Sequence, residues 1–386
     1  MHILIVGAGP AGLALALGLA RRGVKATLVE RAPSLNTGGY VVSLQANGWD
    51  VAQRLGILAE LRRRALPAAD SVYRDGASGR ELFRFRQEVI SDLTGGKMLH
   101  VPRDTLVGLL AEALAAEGHC GPRFGIEVTA LSQDPAGVDV RFSDGGQGRF
   151  DLVVGADGTN SRLRTLAFGP RPAFARPLGY RGAAWRMGSD LRLDPPYEGY
   201  MEVGRQAILY QSGPQELSTL LCWRSEEVGV VQPGARHRTV AAAFAGTWPV
   251  LRRLIDGDVD WDAAYLDTLC QIEMPNWSSG RVALVGDAAW CLSSLSGQGA
   301  SMAMAGAFLL AERLGQGTLA DVLQGWEAHL RPVIASVQRH ARASARSYVP
   351  RSRGGLWLSR HLLPVLMSRP VLKLRARALV APSLLQ

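Results

Sequence analysis

The sequence predicts an α/β fold: a parallel, nucleotide-binding sheet, interrupted by an inserted antiparallel sheet and followed by a helical C-terminal region. Three observations carry this. The chain opens with a strand, a glycine-rich turn, a helix and a second strand. Two further apolar strands, far apart in the chain, each end in a glycine and aspartate turn. Between those two runs a long period-two stretch rich in aromatic residues.

The opening unit sets the frame. Ile3-Leu4-Ile5-Val6 is an apolar strand that runs into Gly7-Ala8-Gly9-Pro10-Ala11-Gly12. An alanine- and leucine-rich helix follows, then Ala26-Thr27-Leu28-Val29, ending on Glu30. In this context the first glycine permits the tight turn, the second lets a pyrophosphate approach the backbone, and the third lets helix and strand pack closely. The helix N-terminus presents free N–H groups and the positive end of its dipole to phosphate. Glu30, about twenty residues on, is placed to accept hydrogen bonds from a ribose.

The remaining elements follow in order. Tyr40 to Leu44 reads as a short extended segment after a loop through Gly38-Gly39, and Asn47 to Leu61 as a helix with Val51, Leu55, Leu58 and Leu61 on one face. Ser71 to Phe85 reads as a hairpin, Met98 to Val101 as a strand, and Thr105 to Glu117 as a helix opened by Arg103-Asp104. Ile126 to Asp151 reads as a β-meander leading into the strand Leu152-Val153-Val154 and Gly155-Ala156-Asp157-Gly158. Tyr180 to Arg224 carries the period-two, aromatic pattern of an antiparallel sheet. Ala241 to Ile255 and Trp261 to Cys270 read as helices. The strand Val282 to Val285 ends in Gly286-Asp287, and a turn, Ser296-Gly297-Gln298-Gly299, opens a helix from about Ala300 to Leu314. In an open α/β sheet, ligands sit at the carboxyl ends of the strands, so three such ends converge on one long cofactor.

Composition narrows the function classes. In 386 residues, 47% are hydrophobic, enough for a large core. No signal peptide or bilayer-length apolar span is read from the sequence. Cys120, Cys222, Cys270 and Cys291 are widely spaced, which fits reduced thiols in a cytoplasmic protein and no metal site. The seven histidines are scattered and read as surface or satisfied packing. Of the net charge of +9, the segment after Glu327 contributes +11, with no Asp or Glu in it. Aliphatic residues interleave that tail (Leu362, Leu363, Val365, Leu366, Leu372, Leu374), so it reads as a helix packed on the body with a solvated basic face. Membrane association through this tail is the weaker reading, and no nucleic-acid partner is expected. Monomer and homodimer both remain open.

The glycine turn of the first unit, Gly155-Ala156-Asp157-Gly158 and Gly286-Asp287-Ala288-Ala289 together resemble the three fingerprints of the class A FAD-dependent monooxygenases. These share the para-hydroxybenzoate hydroxylase fold with tetracycline-modifying and polyketide-tailoring hydroxylases. The resemblance spans almost the whole chain. It implies a Rossmann-like FAD-binding domain (1–70, 101–170 and 276–330), an inserted antiparallel-sheet substrate-binding domain (71–100 and 171–275) and a basic C-terminal helical region (331–386). By position, Gly7, Gly9, Pro10, Ala11 and Gly12 would hold the pyrophosphate, Glu30 the adenosine ribose, and Arg31 would lie beside the adenine. Arg103 matches the family's FAD-contacting arginine, and Ser43 a polar contact. Asp157 belongs to the motif associated with FAD and NAD(P)H. Asp287 would contact the ribose or ribityl region, with Gly297, Gly299 and Ala300 along the flavin ring.

The resemblance implies hydroxylation or epoxidation of an aromatic or polycyclic small molecule through a flavin C4a-hydroperoxide, with NADPH or NADH and O2 consumed, in secondary metabolism or antibiotic biosynthesis. A dry cavity is required for that chemistry. Tyr200, Tyr210 and Trp223, with Trp185 behind them, are candidate substrate contacts, set against ordinary sheet core. Trp290 replaces the commonest histidine of the third fingerprint and Ser294 the following proline; Trp290 is a candidate to narrow the flavin pocket, to stack on substrate, or to be an alternative wall residue, and these readings stay open. Baeyer–Villiger oxygenation, flavin-dependent reduction and non-catalytic flavin binding are the alternatives on this fold. No halogenase tryptophan motif is present.

Overall fold

The computed structural model describes residues 1–35, 40–366, 371 and 383–385. The turn through Gly38-Gly39 and the tail residues Arg369, Leu372, Lys373, Leu374, Arg375 and Arg377 lie outside them.

The opening unit builds the centre of a six-stranded sheet. Its order is Ser278–Ser279, Val282–Leu284, Leu152–Gly155, His2–Val6, Lys25–Glu30 and Arg123–Phe124. His2–Val6 pairs in parallel with Leu152–Gly155 on one side and Lys25–Glu30 on the other, and Leu152–Gly155 pairs in parallel with Val282–Leu284. All three fingerprint turns therefore leave neighbouring strands at the same sheet edge. The helix Pro10–Ala20 is apolar on every side because it is buried on every side, packed against the helices Arg103–Ala116 and Gly299–Arg313. Gly155 to Val285 is stitched by the Val285 N–H donating to Gly155 O (2.8 Å).

The expected meander is a three-stranded sheet, Val128–Asp134, Gly137–Phe142 and Gln147–Phe150. Val41–Gln45 and Met98–Pro102 form a separate antiparallel ribbon, with Ser43 opposite His100. The aromatic stretch is the heart of a seven-stranded sheet ordered Tyr265–Ile272, Ala175–Gly188, Glu216–Arg224, Arg205–Gly213, Tyr197–Glu202, Ser71–Asp75 and Glu81–Phe85.

Several elements differ from expectation. Trp261 to Cys270 was expected as a helix, but Tyr265–Ile272 is a strand at one end of this sheet. Nearly every residue of it is buried, so its sequence lacks the alternation that marks a half-buried strand. Asn47 to Leu61 forms two helices, Asn47–Arg54 and Leu58–Arg64, separated at Gly56, whose φ of +64° ends the first. Ala241 to Ile255 likewise divides into Arg236–Ala243 and Pro249–Ile255. A helix at Gln87–Thr94 was not anticipated.

The tail behaves as two helices. Leu319–Tyr348 packs on the body through Trp326, Leu330, Ile334 and Val337. Arg353–Leu366 does not fit the packed-helix expectation: it has no fully buried residue, and five of its large apolar side chains remain exposed. It lies against the edge strand Glu81–Phe85. No helix among the described residues is long and apolar enough to cross a membrane.

Candidate active site

The first turn is shaped by what glycine leaves out. Gly7 sits at φ +106°, and a Cβ there would lie 2.6 Å from Ala156 O, so the first and second fingerprints touch backbone to backbone. A Cβ on Gly12 would meet Gly7 O at 1.9 Å, which fixes this residue for close packing of helix on strand. Gly9 differs. The nearest atom to its missing side chain is an Arg103 guanidinium nitrogen at 3.7 Å, which leaves open space above the turn. Pro10 begins the helix and no side chain caps it. Ala11 contacts the third fingerprint, 3.1 Å from the Cβ position of Gly286. The Glu30 carboxylate accepts from the backbone N–H groups of Ala8 and Ala32, both at 2.8 Å, and so lies against the turn. Arg31 is exposed, 3.7 Å from Glu127.

Arg103 opens its helix beside this turn. Its backbone N–H donates to Tyr40 O (3.0 Å), and its guanidinium stands 5.9 Å from the Tyr40 ring. Asp287 faces the same cation: burial raises its carboxyl above the usual range, and the Arg103 charge opposes that rise. Burial also raises the Tyr40 phenol, again opposed by Arg103. Tyr40, Arg103 and Asp287 thus form one cluster between the first and third fingerprints.

Asp157 is turned inward. It accepts from Ser161 Oγ (2.6 Å) and the Leu163 N–H (3.0 Å), closing the start of the helix Arg162–Ala167, and burial raises its carboxyl. Beside it, the fully buried Arg164 donates to Thr159 O (2.7 Å) and Ala288 O (2.8 Å). That side chain ties the second fingerprint to the third, a role its sequence position alone does not reveal.

The far end of the site is the N-terminus of Gly299–Arg313, which has no side-chain cap. A Cβ on Gly297 or Gly299 would meet nothing within 4 Å, so the approach to this helix start is open. The ribbon flanks it. Ser301 Oγ accepts from the Gln45 N–H (3.0 Å), and Gln45 Nε2 donates to Gly297 O (3.3 Å). Ser43 shares a hydrogen bond with His100 Nδ1 (3.1 Å), and its carbonyl accepts from Ser301 Oγ (3.4 Å). Burial pushes His100 down to about 4, so the ring is neutral near pH 7. Ala300 stands in the first turn, between Gly299 and Ser301.

The seven-stranded sheet divides the candidate substrate contacts between its two faces. Tyr200, Trp223 and Trp185 lie on its back face, in a core closed by residues of the two helices between 236 and 255, among them Val240, Phe244 and Leu254. The Tyr200 hydroxyl donates to the buried Glu198, itself paired with Arg74 at 3.0 Å. Strand parity is the reason: Leu217, Thr219, Leu221 and Trp223 alternate with Ser218, Leu220, Cys222 and Arg224, and Trp223 falls on the covered side. Tyr210 is on the opposite face, 5.7 Å ring to ring from Tyr197. That front face also carries Gln206, Ile208, Leu220 and Cys222. They line a narrow space with Ser294, Leu295 and Tyr348, next to the third fingerprint. The His100 ring reaches the same face, 5.4 Å from Tyr197. Tyr197, Tyr348, Tyr40 and His100 were not singled out from sequence; the parity of Tyr197 and Tyr210 was the available signal.

Trp290 is not a wall of this space. It is 1% exposed and packs at a tilt against Trp277 (4.4 Å between ring centroids) and Trp326 (5.6 Å). A Cβ on Gly306 would lie 2.5 Å from its ring. The indole fills the core between the third fingerprint and the helices Gly299–Arg313 and Leu319–Tyr348. No group of His, Cys, Asp or Glu among the described residues is arranged to hold a metal.

These residues fit an extended dinucleotide cofactor. The open side of Gly9, the two uncapped helix starts and the Asp287–Arg103 pair offer, in sequence along one sheet edge, places for pyrophosphate, polyol and an electron-rich ring. Comparison with known proteins agrees. A family model described as an FAD binding domain matches residues 1–346. An uncharacterized protein of Mycobacterium tuberculosis is 34% identical over 81% of this chain and 84% of its own length. A 3-amino-4-hydroxybenzoate 2-monooxygenase of Streptomyces platensis is 30% identical over 90% of this chain and 88% of its own. The crystal structure of a tetracycline destructase superposes with a TM-score of 0.82 over 99% of both chains, at 26% identity. The chain belongs to this FAD-binding family and is a class A FAD-dependent monooxygenase.

Proposed function

We propose that the protein uses NADPH or NADH and O2 to hydroxylate or epoxidise an aromatic or polycyclic small molecule, in the modification or biosynthesis of an antibiotic-like compound. One observation supports this above the others: the front of the seven-stranded sheet, with Tyr197, Tyr210, Ile208 and Leu220, faces Leu295 and Tyr348 beside the open helix start at Gly297 to Ala300. Relatives named for an aminohydroxybenzoate and for tetracycline point to ring substrates.

Bound FAD supplies the electron transfer and oxygen chemistry. The chain's own residues do the rest. In this reading segments 1–70, 101–170 and 276–330 hold the cofactor, while 71–100 and 171–275 hold the substrate. Gly9 and the following helix start receive the pyrophosphate, Glu30 the ribose, and Asp287 the polyol chain. The N–H groups at Gly299 and Ala300 hold negative charge on the ring. Burial keeps the Tyr210 phenol neutral and raised, so the sheet offers hydrogen-bond donors in an otherwise apolar, water-poor wall. The four free cysteines fit a reaction in the cytoplasm.

The test is NAD(P)H oxidation by the purified flavoprotein across a panel of phenols, aminobenzoates and polycyclic aromatics, with product mass. Substrate-stimulated oxidation and a gain of one oxygen are expected. A gain of two hydrogens, or no reduction of bound flavin by either nucleotide with any substrate, overturns the proposal.

A further inference from the structure

Ten large apolar side chains are exposed among the described residues, and five of them are on the single helix Arg353–Leu366: Trp357, Leu358, Leu362, Val365 and Leu366. Trp357 is 61% exposed and Val365 58%. A monomeric surface rarely gathers such a patch without a partner. At 100° per residue, Leu358, Leu362, Val365 and Leu366 fall within about 100° of arc. Leu356 and Leu363, half-buried, point toward the body. Arg353 and Arg360, both exposed, share a third sector. Trp357 stands between the cationic and the exposed apolar sectors, its ring 4.4 Å from that of His361.

The charge around the patch selects its partner. No Asp or Glu occurs after Glu327, and the same segment carries eleven Lys and Arg. An apolar ridge, a tryptophan at its margin and a cationic sector carrying Arg353 and Arg360 are complementary to the headgroup region of an anionic bilayer. A second copy of this chain would bring Arg353 and Arg360 against their own counterparts across the contact, which opposes self-association.

We propose that the helix Arg353–Leu366 is an interfacial anchor that docks the protein on anionic lipid, lying in the plane of the surface and not crossing it. This follows from the exposed face and its charge and does not depend on which compound is oxidised. Because the helix rests on the edge strand Glu81–Phe85, docking brings that end of the seven-stranded sheet to the membrane.

The test is co-sedimentation of the full-length FAD-loaded protein with vesicles of phosphatidylcholine alone and of phosphatidylcholine mixed with phosphatidylglycerol. Wild type is expected to pellet with the mixed vesicles, to be released by added salt, and to stay in solution with phosphatidylcholine alone. Trp357→Ala and Leu362→Glu change exposed side chains, so flavin content and melting temperature report that the fold is kept. Each is expected to weaken binding by about tenfold or more, from the apolar contact removed. Sedimentation velocity without lipid supplies the other arm. Binding that is absent, or that both variants leave unchanged, overturns the proposal. So does a wild-type dimer that Leu362→Glu converts to monomer, which would assign the patch to a second copy.

Discussion

Replacing His100 by glutamine tests the junction between the ribbon and the substrate sheet. His100 is opposite Ser43 in the ribbon, bonded to its hydroxyl, and packs beside Tyr197. Burial lowers its pKa from 6.5 to about 4. The native state therefore refuses a proton that the unfolded chain accepts below pH 6.5. Between about 6.5 and 4 the unfolded state binds more protons, so stability rises with pH, and it is lost as the pH falls. For a single site with these two values, stability drops by about 2.4 kcal/mol between pH 7 and 4.5, and by roughly 2 kcal/mol once the ring's partial accessibility is allowed for. Urea unfolding of the holoenzyme at both pH values, for wild type and His100→Gln, isolates this share of the pH dependence from that of the carboxylates. The wild type should lose about 2 kcal/mol more than the variant on acidification. Ser43→Ala serves as the control, because it removes the hydrogen bond and keeps the buried ring. Parallel pH profiles for wild type and His100→Gln would refute the reasoning.

Three further outcomes follow from the geometry. Gly9→Ala places its methyl in open space 3.7 Å from Arg103, so melting of the apoprotein should change by less than about 0.5 kcal/mol while the FAD dissociation constant rises tenfold or more; unchanged flavin affinity would remove Gly9 from the pyrophosphate site. Gly306→Ala drives a methyl against the Trp290 ring and should cost about 1–3 kcal/mol, most of it recovered in a double variant with Trp290→Phe; additive losses in chemical denaturation would show that the two residues do not share the space. Tyr200→Phe removes the hydroxyl partner of the buried Glu198, leaving only its pair with Arg74, and should destabilise by about 1–3 kcal/mol with KM unchanged, whereas Tyr210→Ala should raise KM for the substrate; steady-state kinetics showing the reverse would exchange the two faces of the sheet.

The cofactor end was legible in the sequence because its constraints are local. Gly7 and Gly12 are each required by atoms a few residues or one neighbouring strand away, while Gly9 between them leaves the space above the turn open. The first and second fingerprints meet at Gly7 and Ala156, and parallel pairing of apolar strands makes that meeting predictable. The substrate sheet was legible as a sheet but not in its facing. Period two separates Trp223 from Cys222 but does not say which side is covered by helices, and here both sides are: one by residues between 236 and 255, the other by the cofactor unit and Tyr348. The aromatics at Tyr200 and Trp223 fill the side covered by the helices between 236 and 255. The other side carries Tyr210 and Tyr197 with Ile208 and Leu220, so the candidate aromatics are divided between the two faces.

Trp290 fails in sequence for a related reason. In the fingerprint it stands three residues after Asp287, and a change there reads as a change in the flavin pocket. The backbone does keep Asp287 toward Arg103 and Tyr40. The indole, however, goes where volume exists, and the volume is made by Gly306 on a helix later in the chain, with Trp277 and Trp326 completing the walls. The missing side chain at Gly306 and the added ring at Trp290 are two halves of one packing solution. The neighbouring Ala288, two residues before Trp290, is held in turn by Arg164, which donates to Ala288 O, so the packing of the indole and the backbone of the third fingerprint are fixed together.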